Sequence, residues 1–316
     1  MVLLYHKGAK EHPMEKQIIE ILNDGFSLFL HRGFISIENK DISLKTEIPL
    51  DNILSLVISA NDLILSKNVI NAITEQGANI ICCGKNYVPC SLIIPCEGHW
   101  LVASRVQKQI ECSKPLQKNL WKSIIQNKIY NQSKILELFF PNHSNIARLK
   151  QLAKDTLSND ARNNEGVAAS IYFKSLFGKN FVRDRLSGDV NILLNYAYIV
   201  LRAMVIRAIY GNGLLPFLGL KHCAKTNTFP LADDLMEPFR PWADKLVFEE
   251  INRLVNIQDI ELTPEIKRRL TGLISIPVKT GKGCVSLNDA VFDFVGSLVV
   301  SFEDKKVKLK YPEFED

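Results

Sequence analysis

Three motifs of familiar enzyme classes are missing from this 316-residue sequence. It has no glycine-rich loop of the kind that binds nucleotide phosphates, and no serine in a nucleophile elbow. It also lacks the paired histidines of a helical zinc protease. These absences argue against P-loop enzymes, α/β-hydrolases and zinc proteases. A catalytic site, if there is one, must be assembled from residues that lie far apart in the chain.

Cysteines are few, and their seven positions lack the paired two-residue spacing of a zinc ribbon. The N-terminus has neither the apolar segment nor the cleavage site of a secretory signal. We therefore expect reduced thiols and a cytoplasmic location. Residues 190–211 form the longest candidate for a membrane span, but Arg202 and Arg207 interrupt it. A buried helix of a soluble protein is the better interpretation.

The positive charge is unevenly distributed. The chain has a formal net charge of +5, yet residues 101–150 alone contain nine Lys/Arg and two Asp/Glu, a net of +7. A local basic segment is typical of a surface that binds a polyanion such as DNA. A solvated helix face rich in lysine gives the same pattern. Composition alone leaves both interpretations open.

The periodicity of apolar residues changes near residue 100. Before it, residues 26–39 alternate around Gly33 as a β-hairpin does, and a short helix is expected between Ser66 and Gly77. After it, helical spacing dominates, and helices are expected over 117–140, 164–178, 189–211, 231–252 and 287–304. The class is α+β, with a small N-terminal β-sheet domain (1–98) and a larger all-α catalytic domain (104–316). The charged tail after residue 304 is expected to be peripheral.

Candidate ligand residues cluster after residue 220. His222 precedes Asp234 by twelve residues, and Glu237 lies one helical turn after Asp234, so the two acidic residues share a helix face. The loop around Asn227 and Pro230 allows His222 to fold back onto that face. One imidazole with several carboxylates suits Mg²⁺ or Mn²⁺ better than structural Zn²⁺. A solvated helix start and an ordinary loop histidine would give the same spacing.

Glu165 belongs to a different predicted helix, at the edge of an apolar face. An acidic side chain in that position needs a partner. A metal ion is one candidate, and a cation from Arg183, Arg185 or Arg202 is another. The residues alone do not decide between these partners.

Three stretches together carry a resemblance: "NNEGVAASIYF", "LNYAYIVLRAMVIRAIYGNGLLPFLGLKHC" and "LADDLMEPFRPWADKLV". In this order they resemble the CRISPR-associated spacer-acquisition integrases, most closely those of type II systems. The resemblance implies that Glu165, His222 and Glu237 are metal ligands, with Glu237 where other members carry Asp. It further implies that Asp234 supports the site, and that Arg240 contacts phosphate or braces the carboxylates. Cys223 departs from the Gly or His of many relatives and is expected to be a packing residue.

The function implied by the resemblance is joining of the 3′-hydroxyl of captured double-stranded DNA to the CRISPR repeat by transesterification with Mg²⁺ or Mn²⁺. Arg183, Arg185 and Lys225 are candidate DNA contacts near the motifs. The β-domain is expected to form the homodimer and to bind a small second adaptation protein. Two alternatives remain. One is a metal-dependent nuclease of branched or linear DNA that does not integrate, and the other is a DNA-binding scaffold without catalysis.

Overall fold

The computed structural model describes residues 2–3, 17–84, 89–95, 101–184, 187, 189–222, 227–253 and 260–314. The chain divides into two units, residues 1–98 and residues 99–316. Among these described residues, strands and one α-helix build the first unit, whereas the second is mostly helical. The α+β class expected from the sequence is confirmed.

The described strands of the first unit form two sheets, where the sequence pattern suggested one. The strands are β1 (Val2–Leu3), β2 (Gln17–Ile21), β3 (Phe26–His31), β4 (Phe34–Asn39), β5 (Leu44–Pro49), β6 (Ile53–Ile58), β7 (Leu63–Leu65), β8 (Asn79–Cys83) and β9 (Pro89–Ile93). One sheet has the order β1-β2-β6-β8-β9, and the other has the order β5-β4-β3-β7. The pairs β2–β6 and β6–β8 are parallel, so the chain crosses over between them.

Local signals in the first unit are confirmed. Strands β3 and β4 form an antiparallel hairpin, whose turn residues Arg32 and Gly33 have φ of 49° and 82°. Helix α1 (Lys67–Glu75) begins after Ser66, whose side chain accepts a hydrogen bond from the Val69 backbone N–H. Buried apolar side chains from both sheets and α1 then form one core.

The described part of the second unit contains nine α-helices, which are 7 to 26 residues long. They are α2 (Val102–Ile110), α3 (Lys114–Phe139), α4 (Asn145–Lys154), α5 (Asn164–Phe177), α6 (Val190–Gly211), α7 (Pro230–Met236), α8 (Arg240–Ile251), α9 (Pro264–Thr271) and α10 (Leu287–Asp304). A hairpin of β10 (Pro277–Thr280) and β11 (Gly283–Ser286) precedes α10, and the sequence pattern did not predict it. Helix α3 packs against α4, α5 and the 3₁₀ turn Glu237–Phe239.

Helix α6 is long and apolar enough to cross a membrane, but 72% of its apolar window is buried inside the protein. It packs against α7, α8 and α10. This is the environment expected of a core helix in a soluble domain, where neighbouring helices cover apolar side chains. The interpretation of residues 190–211 as a buried helix therefore agrees with the packing.

Prolines and the C-terminal tail shape the end of the second unit. Pro238 lies in the 3₁₀ turn between α7 and α8, and Pro241 lies in the first turn of α8, where a missing N–H costs nothing. The prediction of a peripheral tail is wrong. Tyr311 packs its ring 5.2 Å from that of Phe294, and Phe314 packs 4.7 Å from Trp242. Tyr311 and Phe314, which lie among the charged residues of the tail, therefore hold it against the helices.

Candidate active site

A buried lysine lies between two carboxylates in the second unit. The Lys128 Nζ atom is 2.6 Å from Glu165 Oε1 and 2.5 Å from Glu237 Oε2. The first contact is a hydrogen bond, whereas the second is an ion pair without hydrogen-bond geometry. The three side chains come from α3, the first turn of α5 and the 3₁₀ turn after α7. Because one ammonium contacts both carboxylates, a single cation can reach both.

The loop before α5 fixes the position of Glu165. The Asp160 carboxylate accepts hydrogen bonds from the backbone N–H groups of Asn164, at 2.8 Å, and Glu165, at 3.0 Å, and so caps the helix. Asn163 has a φ of 53°, which turns the chain sharply into the helix. Gly166 follows because a Cβ there would approach the Asn163 side-chain amide nitrogen to 2.7 Å.

Glu237 is balanced by two cations. Its side chain is only 4% exposed, and its Oε1 atom lies 3.0 Å from Arg240 Nη2. Burial alone would raise the pKa of Glu237, but the positive charges of Arg240 and Lys128 outweigh it and hold that pKa below its usual value. Burial likewise opposes the charge on Lys128, yet Glu237 and Glu165 keep the pKa of this ammonium above its usual value. Both groups are therefore charged.

His222 is held by Asp234, which is fully buried. The ring Nδ1 lies 2.6 Å from Asp234 Oδ1, and Asp234 Oδ2 accepts the backbone N–H groups of Leu220 and Lys221 at 2.6 and 2.9 Å. The hydrogen bond to Asp234 raises the pKa of His222, although partial burial opposes this. With Nδ1–H donated to a carboxylate, Nε2 is the ring nitrogen that can act as a ligand.

The imidazole lies within electrostatic reach of the two carboxylates. The negative charges of Glu237 and Glu165 add to the rise in the pKa of His222, so all three groups lie within electrostatic reach of one another. The edge of the ring packs against Trp121 of α3, at 5.5 Å between centroids. The loop that carries His222 also contacts the loop before α5, because Lys221 Nζ lies 3.2 Å from Asn159 Oδ1.

The residue types fit a hard divalent cation. Two carboxylates and one imidazole supply oxygen and nitrogen donors of the kind that Mg²⁺ and Mn²⁺ accept. In the described part of the chain, no group of three or more His, Cys, Asp and Glu side chains has the arrangement of an assembled metal site. The Lys128 ammonium instead fills the space between the carboxylates. The donor set is present, and a cation already lies within it.

The other predicted partners of this site have different positions. The interpretation as a solvated helix start is wrong for Asp234 and Glu237, since both residues are buried. Three arginines were candidate partners of Glu165, and one of them, Arg202, pairs instead with Asp233 at 3.0 Å. Arg183 donates hydrogen bonds to the side chains of Asn191 and Asn195, at 2.8 Å each. Arg185, Lys225 and Cys223 lie outside the described residues, so their roles stay predictions.

Sequence reasoning missed Lys128 as a member of the site. It was included only in the basic segment, where lysines are expected on a solvated face. Its spacing held a signal, because Lys128 follows Ile124 by four residues and Ile125 by three, and therefore lies on the apolar face of its helix. A lysine on such a face needs a buried partner. The distant Glu165 and Glu237 provide it.

Comparison with known proteins gives concordant matches. The family model described as CRISPR associated protein Cas1 matches residues 19–271. A protein named CRISPR-associated endonuclease Cas1 from Neisseria meningitidis serogroup C (strain 8013) is 34% identical over 296 residues, which cover 93% of this chain and 95% of the relative. A similarly named relative from Francisella tularensis subsp. novicida (strain U112) is 28% identical, over 75% of this chain and 80% of its own.

Solved structures share the fold. A casposase bound to an integration product matches with a TM-score of 0.79 and 19% identity, over 95% of this chain and 94% of its own. A Cas1 protein from Thermotoga maritima matches with a TM-score of 0.72 and 17% identity, over 95% of this chain and 100% of its own. The sequence matches span both units and include every described residue of the site. The chain therefore belongs to the Cas1 family of CRISPR-associated proteins.

Proposed function

We propose that this protein is a divalent-metal-dependent DNA integrase of CRISPR adaptation. It would join the 3′-hydroxyl ends of captured DNA to the CRISPR repeat. The observation that carries the proposal is that the Lys128 ammonium contacts both Glu165 and Glu237, within electrostatic reach of His222, in a chain of this family. The relatives named as endonucleases, and the casposase bound to an integration product, support phosphoryl transfer on DNA as the reaction class.

Glu165, His222 and Glu237 are the residues that would hold Mg²⁺ or Mn²⁺. When bound, the metal would neutralise charge on the attacked phosphate and help to activate the 3′-hydroxyl. Asp234 orients the imidazole by fixing Nδ1, and Arg240 holds the Glu237 carboxylate through Oε1, whereas Lys128 contacts Oε2. The reaction forms one phosphorus–oxygen bond as another breaks, so the repeat strand leaves with its own 3′-hydroxyl.

The exposure of the side chains indicates where DNA would approach. His222 is 44% exposed and Glu165 is 26% exposed, whereas Glu237 and Lys128 are 4% and 8% exposed. The last two therefore form the buried floor of the site, and the first two face its open side. A phosphodiester would arrive at the open side, where desolvation costs least.

Binding surfaces outside the site are also part of the proposal. Lysines of the basic segment, together with Arg183, Arg185 and Lys225, would contact DNA phosphates. The first unit would form the homodimer and bind the small second adaptation protein. A solved Cas6-RT-Cas1–Cas2 complex, one chain of which shares this fold, supports such an assembly.

A plasmid integration assay tests the proposal. The purified protein and its second adaptation protein are incubated with short 3′-hydroxyl DNA and a supercoiled plasmid that carries the CRISPR repeat. We expect the short DNA to become joined to the plasmid with Mg²⁺ or Mn²⁺, and not with a chelator. Joining that persists in the chelator would contradict metal dependence.

The same assay separates the alternatives. Plasmid cleavage without joined product would favour the nuclease of branched or linear DNA, a function consistent with the names of the relatives. DNA binding without either product would favour the scaffold. Glu165→Ala and His222→Ala are expected to abolish joining while DNA binding, measured by mobility shift, is largely retained. Full activity of either variant would remove that residue from the site.

A further inference from the structure

We propose that Lys128 is an internal counter-ion that holds the place of the divalent cation in the metal-free protein and must withdraw for the metal to bind. This inference rests on the proposed function, because it assumes that Glu165 and Glu237 are metal ligands. It concerns a residue to which neither the sequence motifs nor the proposed reaction assigns a role. It makes Lys128 a positioning residue that competes with the metal.

The geometry requires competition. The ammonium lies 2.6 Å from Glu165 Oε1 and 2.5 Å from Glu237 Oε2, so it contacts one oxygen of each carboxylate. A metal ion bound to both oxygens would occupy the space in which Nζ lies. A metal ion and the Lys128 ammonium held this close together would also repel each other strongly, since the buried part of the site is poorly solvated.

The charges point the same way. Glu165 and Glu237 carry two negative charges, and Lys128 and Arg240 carry two positive charges, so the metal-free cluster is balanced. A divalent cation would leave it with a net excess of two positive charges if the ammonium stayed. Arg240 contacts Glu237 through the other carboxylate oxygen, Oε1, and is not in the way. Lys128 is the group that must move, and its flexible four-carbon stem permits this.

A purely structural lysine would behave differently. A lysine that only supports the fold would hold the carboxylates in place for the metal, and its loss would weaken metal binding. A competing lysine blocks the metal position, and its loss would strengthen metal binding. The sign of the change in Mn²⁺ affinity therefore separates the two roles without any measurement of catalysis.

The test is Mn²⁺ binding by Lys128→Met, measured by isothermal titration calorimetry on the full-length protein without DNA. Methionine keeps an unbranched side chain without the charge. We expect Mn²⁺ to bind about tenfold more tightly than to the wild type, the size of a typical coupling between two ligands. Lys174→Met is the matched control, because Lys174 is exposed on α5, the helix that also carries Glu165, and its Mn²⁺ affinity should equal that of the wild type.

Each outcome is decisive. If the wild type binds Mn²⁺ and Lys128→Met binds it equally or more weakly, the competition is overturned while the metal site stands. If neither protein binds Mn²⁺, the proposed metal site and the inference both fail. Thermal unfolding gives a second measurement in case the variant is unstable. Mn²⁺ should raise the melting temperature of Lys128→Met more than that of the wild type, and a smaller rise would overturn the proposal.

Discussion

The two units differ in what they bury. In the first unit, Glu20 is the one charged side chain that is buried among the described residues. The second unit buries six in the described part of the chain: Lys128, Asp234, Glu237, Asp244, Glu250 and Lys267. Burying charge costs stability unless each group is paired, and apolar residues of similar size would fold at least as well. The second unit thus contains an interior that stability alone does not require.

The positions of the buried charges explain the difference. Glu250 pairs with Arg269 of α9 at 2.7 Å, and the Lys267 ammonium lies 5.2 Å from the centre of the Tyr196 ring. Three of the other four, Lys128, Asp234 and Glu237, belong to the candidate active site, and the fourth, Asp244, is close enough to Arg240 and Lys128 for their charges to lower its pKa against the effect of burial. The first unit fills its interior with isoleucine, leucine and phenylalanine, because its sheets need only packing. We infer that the buried charge at the candidate site was retained for chemistry.

Removal of Glu237 should give the largest difference in stability between a variant of the second unit and a matched variant of the first. Glu237→Ala leaves Lys128 and Arg240 without their shared buried counter-charge, and we expect the free energy of unfolding to fall by about 3–5 kcal/mol. Glu47→Ala in the first unit is the control. Glu47 is 39% exposed and 3.6 Å from His31, so its loss should cost less than about 1 kcal/mol. Urea denaturation measures both.

Glu237→Gln sharpens the same prediction. The amide keeps the shape of the side chain and one oxygen acceptor, so this variant should be more stable than Glu237→Ala. It should nevertheless lose Mn²⁺ affinity, because a neutral amide is a weaker ligand than a carboxylate. Equal stability of Glu237→Ala and the wild type would show that the buried cations do not depend on this residue.

Asp244 gives a pH-dependent form of the comparison. Burial raises the pKa of Asp244 from 3.8 to about 6, although a hydrogen bond from the Tyr198 hydroxyl, 2.5 Å away, favours the ionised form. The folded protein therefore binds a proton more tightly than the unfolded chain. Its contribution to stability is complete below pH 3.8 and is lost as the pH rises to about 6.

Asp244→Asn removes this titration. Relative to the variant, the wild type should lose about 2 kcal/mol of unfolding free energy between pH 4 and pH 6. Urea denaturation of both proteins across that range measures the difference, in which titrations common to both cancel. A constant difference would mean that Asp244 is ionised at low pH in the folded protein.

Gly219 tests how closely the His222 loop approaches Asp234. A Cβ at this position would come within 3.1 Å of Asp234 Oδ2 and 2.9 Å of the Pro230 side chain, and would clash with the His222 carbonyl oxygen. Gly219→Ala should cost about 1–3 kcal/mol of stability and should weaken Mn²⁺ binding by displacing the imidazole. Gly281→Ala is the control, because a Cβ there meets no atom within 4 Å. Unchanged Mn²⁺ affinity in Gly219→Ala would contradict the loop's role.

The same contrast explains what the sequence could predict. Ser66 and the β3–β4 hairpin were predictable because the cap and the turn depend on residues a few positions apart. The two-sheet arrangement was not, because the parallel β2–β6 pairing joins segments more than 30 residues apart without a turn motif. The periodicity of apolar residues indicates which face of an element is buried, but it does not indicate which other element packs against that face.

The candidate site divides similarly. Residue spacing alone left His222, Asp234 and Glu237 open to a solvated interpretation, and only the resemblance joined Glu165 to them. Lys128 was not predicted as a member of the site, because the whole basic segment was interpreted as one surface. Its position among isoleucines on α3 is a local signal, but the carboxylates that neutralise it come from residues 37 and 109 positions further along the chain. Tertiary packing alone brings them together.

The exposed lysines of α3 give the smallest expected effect per residue. Lys114 and Lys118 are exposed and Lys122 is half-buried, unlike Lys128 on the same helix. If they contact DNA phosphates, the triple Lys→Gln variant should bind duplex DNA more weakly. The slope of log affinity against log salt should also decrease by up to about 0.9 per lost contact. Fluorescence anisotropy at several salt concentrations measures both quantities.

The matched control carries the same change of charge in the first unit. Lys40, Lys45 and Lys67 are exposed there, and their triple Lys→Gln variant lowers the net charge equally. If affinity depended only on net charge, both triple variants would lose it equally. A loss confined to the α3 variant would locate the DNA-binding surface on the unit that also buries the charged cluster. Equal or absent losses would return the α3 lysines to the interpretation of a solvated helix face.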